Sequence, residues 1–308
     1  MKNDHKTTQV LAASITKAAS LQTAFTIRFL ADHKLMHDAY RAYAYFRWVD
    51  DCIDQDTSQK NERMVFVDRQ NALIGDLTHG LQPQTACLEE QLLVELIQNE
   101  KGSPQRSGLQ SYVHNMMAVM TFDAERRGRL ISHNELDTYA RTLAVAVTEA
   151  MHYFIGHCCT SPRSEDRYLA VTGAHITHML RDTLDDNAVG YFNIPQEFLT
   201  ANNISPLDVK SDPYRAWVRS RVQLARDYFK SGRRYMAQVE NFRCRLAGYT
   251  YIARFEAVLD SIERDDYYLR AKYKECKTLA AGVRMGWSTL WSAINEKTQQ
   301  PRSGALTI

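Results

Sequence analysis

The chain has 308 residues, 44% of them hydrophobic, and 38 basic against 36 acidic side chains give a formal net charge of only +2. That composition can bury a sizeable core and excludes the strongly basic footprint of a nucleic-acid binder. The six cysteines form no Cys-x-x-Cys pair, the first twenty residues lack a secretory apolar core, and no apolar run nears the roughly 20 residues that cross a bilayer. A cytoplasmic protein with reduced thiols is expected.

Apolar periodicity predicts helices near 8–31, 35–56, 61–79, 85–100, 104–127, 133–158, 163–187, 213–243, 246–271 and 276–297, and no segment alternates long enough for a sheet. The seven prolines fall between these segments or at their ends. Ser132-His133-Asn134-Glu135 has the spacing of a capping box, and Ser161-Pro162 reads as the start of the seventh helix. Residues 188–212, rich in Asn, Gly and Pro, read as a loop. The basic stretch from Arg215 to Arg245 reads as a solvated helix face, with peripheral contact to a membrane surface as the other reading. No repeat or low-complexity tract interrupts the pattern. The expected fold is therefore all-α: a single domain over 1–308, an antiparallel helical bundle with flexible ends at 1–8 and 299–308.

Two acidic segments carry the chemistry. In Arg47-Trp48-Val49-Asp50-Asp51-Cys52-Ile53-Asp54, helical spacing places Tyr43, Arg47, Asp50 and Asp54 on one face with Asp51 beside it. In the segment ending Arg181-Asp182-Thr183-Leu184-Asp185-Asp186, His175, His178, Asp182 and Asp185 step by three or four, and Asp186 adjoins. Crowded carboxylates repel unless a cation sits among them. An all-oxygen donor set suits Mg²⁺, with Mn²⁺ as its substitute, rather than zinc. Each segment alone reads equally well as a charged helix end; the two together point to a metal-held diphosphate, with Arg47 and Arg181 as fixed cations. Between them, Glu149 sits among small residues (Ala140, Ala144, Ala146, Thr148, Ala150) on what reads as a buried helix with room for a long apolar ligand.

Three blocks resemble the squalene/phytoene synthase family of head-to-head isoprenoid synthases. They are Tyr43 to Asp54; Met179 to Asp186 followed by Gly190 and Asn193-Ile194-Pro195; and Phe255 to Arg264 followed by Asp266-Tyr267. The resemblance extends from about residue 20 to about residue 275. It implies a helical bundle around a deep cavity and Mg²⁺-dependent condensation of two prenyl diphosphates, farnesyl or geranylgeranyl, through a cyclopropyl diphosphate to a linear hydrocarbon. Its implied metal ligands are Asp50, Asp51, Asp54, Asp182, Asp185 and Asp186. Substrate contacts would come from Arg47, Arg181, Thr23, Tyr139, Glu149, His175 and His178, and Tyr43, Tyr139, Tyr153 and Tyr267 would face the carbocation. The chain departs from the family pattern where Leu21-Gln22-Thr23 replaces a Ser-x-Ser/Thr turn. His175 and His178 likewise replace Gln and Asn, and Ala188-Val189-Gly190-Tyr191 replaces a basic Arg-Arg-Gly-Arg stretch. No dinucleotide fingerprint supports an NADPH-dependent step. A terpene synthase acting on one prenyl diphosphate would share both acidic segments, a helical nucleotide phosphohydrolase would need acidic helices too, and a non-catalytic partner subunit is the remaining alternative.

Overall fold

The computed structural model describes residues 2–55, 59–100, 106–156 and 159–273. Among them are eleven α-helices and no strand. These are α1 (Lys2–Ala19), α2 (Leu21–Leu30), α3 (Met36–Ile53), α4 (Lys60–Thr78), α5 (Leu88–Asn99) and α6 (Arg106–Arg126). They continue as α7 (His133–Phe154), α8 (Asp166–Ala188), α9 (Gln196–Asn202), α10 (Asp212–Gln238) and α11 (Phe242–Arg264). The predicted helix 276–297 and the cysteines at 158 and 276 lie outside the described residues.

Local chemistry sets the boundaries. Ser20 breaks the predicted 8–31 helix in two, because it adopts φ −156° and ψ 103° and its hydroxyl caps α2 by accepting from Thr23 N. At the head of α7 the capping box forms as expected: Ser132 Oγ accepts from Glu135 N, and Glu135 Oε2 accepts from Ser132 N at 2.8 Å. The seventh predicted helix starts later than Pro162, at Asp166, because Arg167 draws the Ser161 hydroxyl into a hydrogen bond instead of leaving it to cap. The 188–212 loop contains a short helix, α9, entered at Pro195 and ended by Asn203 in the left-handed region at φ 51°. Ser211 caps α10 with Pro213 in its first turn, and Asn241 caps α11 through Cys244 N, ending α10 five residues earlier than the periodicity predicts.

The helices pack as two compact units, one comprising Met1–Cys158 with Thr183–Asp208 and the other Cys159–Asp182 with Val209–Ile308. In the first unit α6 packs on α7 and α4, and α3 packs on α1, α5 and α6, around fully buried Tyr45, Leu92, Leu93, Leu96, Leu109 and Met117. A buried ion pair sits inside it, where Arg41 meets Glu95 at 2.9 Å and Asp38 at 2.8 Å, with Thr8 Oγ1 also donating to Glu95. In the second unit α10 packs on α11, and close approach replaces bulk: a Cβ added at Gly232 would lie 2.7 Å from Ala170 Cβ. The basic stretch is largely answered within that unit, because Arg226 bonds Asp260 and Glu263, Arg233 bonds Glu256, and Arg215 bonds Asp266.

Candidate active site

The first acidic segment ends α3. Asp54 is its C-cap and closes the last turn by donating its N–H to Asp50 O at 3.0 Å. Tyr45 and Phe46 are buried behind this turn, and Trp48 packs edge-on against Phe66 at 5.4 Å. Arg47 bridges Asp50 at 3.0 Å and Asp51, so Asp51, the more exposed carboxylate, is held outward in the surface pair its spacing allows. Burial pushes the Asp50 carboxyl up to about 7; repulsion from Asp54 and Asp123 adds to this, and Arg47 only partly offsets it. Asp54 is raised for the same reasons, burial first, although a hydrogen bond from Tyr191 works the other way.

Asp123 is the residue sequence reasoning missed. On the last turn of α6 it accepts from Arg126 Nε at 2.6 Å and from Tyr139 OH on α7 at 2.9 Å, and its charge is felt by Asp50, Asp54 and Tyr191. The sequence signal was present but slight: an Asp-x-x-Arg-Arg-Gly at a helix end behind Phe122.

Arg126 ties this carboxylate to the second acidic segment. Its guanidinium lies 4.8 Å from the Tyr139 ring centroid and 4.9 Å from that of Tyr191, and its NH1 donates to Asn193 Oδ1 at 2.9 Å. Asn193 in turn donates to Asp186 Oδ2 at 2.7 Å, and Tyr191 OH donates to Asp54 Oδ1 at 3.0 Å. Arg127 donates to the carbonyls of Val189 at 3.1 Å and Gln55 at 3.2 Å. Two positive-φ glycines close the arrangement: Gly128 N donates to Gly190 O at 2.8 Å, and a Cβ at Gly190 would lie 3.3 Å from Gly128 N. Where Ala188-Val189-Gly190-Tyr191 offers no cation, Arg126 at the end of α6 and Arg127 just after it bring two against the same turn.

Helix α8 passes from the second unit into the first, so its acidic residues have different surroundings. Thr183–Ala188 belong to the first unit, where Asp185 is exposed and Asp186 is held by Asn193. Asp182, Arg181, His175, His178 and Tyr267 belong to the second. Burial would raise the Asp182 carboxyl. Two bonds from Arg181, each 2.6 Å, and one from His178 Nε2 at 2.8 Å overcome that and hold it well below the usual carboxylate range. The cation expected of Arg181 is thus committed to its neighbour. His175 is buried and His178 half-exposed. Tyr267 stands at φ 65° with the Arg219 guanidinium 4.6 Å from its ring centroid.

The remaining candidates have local engagements. Thr23 donates its hydroxyl to Ser20 Oγ at 2.9 Å, which restores at 20 and 23 the hydroxyl pair sought at 21–23. Tyr43 is partly buried on α3. Glu149 is partly exposed on α7. Tyr153 is buried against Phe154 at 5.0 Å.

Among the described residues, no three His, Cys, Asp or Glu side chains already converge into a closed metal cage. The oxygen-only donors Asp50, Asp54 and Asp123 are nonetheless of the kind a hard divalent cation takes, and their repulsion adds to the burial that raises Asp50.

Solved structures share this architecture. A squalene synthase from Alicyclobacillus acidocaldarius aligns with a TM-score of 0.68 over 86% of this chain and 97% of its own, at 17% identity. A ligand-bound dehydrosqualene synthase aligns with a TM-score of 0.73 over 94% and 97%, at 15% identity. At these identities the likeness shows the fold, which is the all-helical squalene synthase fold. The family model for squalene/phytoene synthase matches residues 16–278, and the chain belongs to that family of prenyl-transferring enzymes. Within it, a 15-cis-phytoene synthase of Synechococcus elongatus is 31% identical over 113 residues, a match spanning 35% of this chain and 36% of the relative.

Proposed function

We propose that the chain condenses two prenyl diphosphates head to head, in a Mg²⁺-dependent reaction that passes through a cyclopropyl diphosphate to a linear squalene- or phytoene-type hydrocarbon. The observation that carries this reading is the grouping of the Asp50, Asp54 and Asp123 carboxylates, whose repulsion adds to burial in raising Asp50, in a chain whose family transfers prenyl groups. Mg²⁺ ions would be held by Asp50 and Asp54 and by Asp186. Bound there, they would supply Lewis acidity to the departing diphosphate.

The chain's own residues do the rest. Tyr191 and Asn193 orient Asp54 and Asp186 by donating to one oxygen of each. Arg126 and Arg127 hold fixed positive charge near those carboxylates, and the faces of Tyr139 and Tyr43 are the aromatic surfaces on the α7 and α3 sides. A phytoene-type product forms when the last cation loses a proton, whereas a squalene-type product would need a hydride donor such as NADPH, for which the sequence carries no dinucleotide fingerprint.

The test is product analysis by mass. Purified full-length chain is incubated with Mg²⁺ and farnesyl or geranylgeranyl diphosphate, with and without NADPH. A hydrocarbon or cyclopropyl diphosphate with twice the precursor's carbon count is expected. A product retaining one precursor's carbon count would transfer the assignment to a terpene synthase.

A further inference from the structure

Helix α2 buries one face and leaves an apolar one outside. Ala24 and Ile27 are buried against the first unit, whereas Leu21, Phe25 and Phe29 are 63%, 58% and 70% exposed. Their spacing of four places them in one row, and the Phe25 and Phe29 rings stack at 6.2 Å. Isolated exposed apolar residues need no explanation, but three large ones in a row on a ten-residue helix do.

The exposed charged side chains flanking the row in sequence are basic. Lys17, Arg28 and Lys34 are exposed around the row, together with His33 and His37. The two nearby carboxylates are engaged by the protein itself: Asp32 accepts from Gly156 N at 3.2 Å, and Asp38 accepts from Arg41 and Asn99 at 2.8 and 2.9 Å. A phenylalanine-rich row rimmed by cations, with no acidic residue on the helix, is complementary to an anionic lipid surface and not to an acid-rimmed protein groove. No helix among the described residues is long and apolar enough to cross a membrane, so contact would be in the plane of the interface.

We propose that the exposed face of α2 is a membrane-docking surface, in which Leu21, Phe25 and Phe29 enter the interfacial region of an anionic bilayer while Lys17, Arg28 and Lys34 meet the headgroups. The proposal does not depend on which prenyl reaction the chain performs. The test is flotation of the full chain with vesicles of phosphatidylcholine, alone or mixed with phosphatidylglycerol. Wild type is expected to float with the anionic vesicles and to be released as salt rises from about 0.1 M to about 1 M, where the Debye length falls from about 10 Å to about 3 Å. Phe25→Ser with Phe29→Ser should cut the bound fraction about tenfold, and Arg28→Glu should weaken anionic binding separately. Val65→Ser, which removes an apolar side chain 69% exposed on α4, should change nothing. The helical circular-dichroism signal should be retained in each variant, because every altered side chain is exposed. Failure of wild type to float, or equal flotation of the double serine variant, overturns the proposal. So does a self-association seen by sedimentation that the serine variant abolishes without any flotation, which would assign the face to a second copy.

Discussion

Arg126→Met is the sharpest test of how the candidate site is held together. The arginine is 5% exposed and answers Asp123, whose side chain is itself only 15% exposed, at 2.6 Å. Methionine keeps much of the volume but leaves the Asp123 charge without a cation beside Asp50 and Asp54, with only the Tyr139 hydroxyl donating to it. Breaking a buried pair from one side costs about 3–5 kcal/mol, mainly because the orphaned charge must stay desolvated. Loss of the stacking on Tyr139 and Tyr191 adds about 1 kcal/mol. Urea unfolding followed by circular dichroism should therefore show a loss of about 4 kcal/mol. Removing the orphaned charge as well, in Arg126→Met with Asp123→Asn, should recover at least about 2 kcal/mol of it, so the double-mutant cycle should show strong coupling. Simple additivity of the two changes, or a loss below about 1 kcal/mol in the single variant, would refute the argument that Arg126 neutralises Asp123.

Other expectations follow from the same geometry. Asp50→Asn should abolish product formation yet raise the urea midpoint at pH 7, because a carboxyl whose folded pKa is raised destabilises the folded state once ionised. Tyr191→Phe deletes the hydroxyl that lowers Asp54; the Mg²⁺ concentration for half-maximal turnover should rise several-fold, read by titration, with a stability loss of about 1 kcal/mol. Gly190→Ala should lower stability by about 1–2 kcal/mol in the melting curve, since its φ of 90° penalises any Cβ and Gly128 N stands in the way. Glu90 has its carboxyl lowered: burial opposes this, but Arg69, Ala86 N and Gln70 prevail. The stability it contributes is fully present above the ordinary glutamate value of about 4.3 and is lost as pH falls from there through the lower folded value. Glu90→Gln should flatten that part of the urea-midpoint profile against pH.

What could be read from the sequence was local. The row Tyr43, Arg47, Asp50 and Asp54 follows from helical spacing alone, and the Ser132–Glu135 box from a pattern four residues long. The residues that complete the site act across long separations: Arg126 reaches Asn193 over 67 positions and Tyr191 reaches Asp54 over 137. No periodicity encodes such pairs. Asp123 and Arg126, read alone, are an ordinary i, i+3 pair at a helix end. The Ser20 break was missed because one hydroxyl, not a change in apolar pattern, ends the helix there. Glu149, expected on a buried helix, is partly exposed, a difference that its small neighbours do not signal.

The first unit is assembled from two stretches of chain separated by Cys159–Asp182. Asp50, Asp54 and Asp123 all lie in the earlier stretch, whereas Tyr191 and Asn193 arrive with the later one. During synthesis from the amino terminus, the three repelling carboxylates are therefore made well before the side chains that lock their setting. Closure of a loop that long is slow relative to helix formation. A ribosome-bound chain stalled before residue 191 should hold formed helices α3 to α7 around an unlocked acidic end, and release past Asn193 should be the step that makes that end resistant to proteolysis.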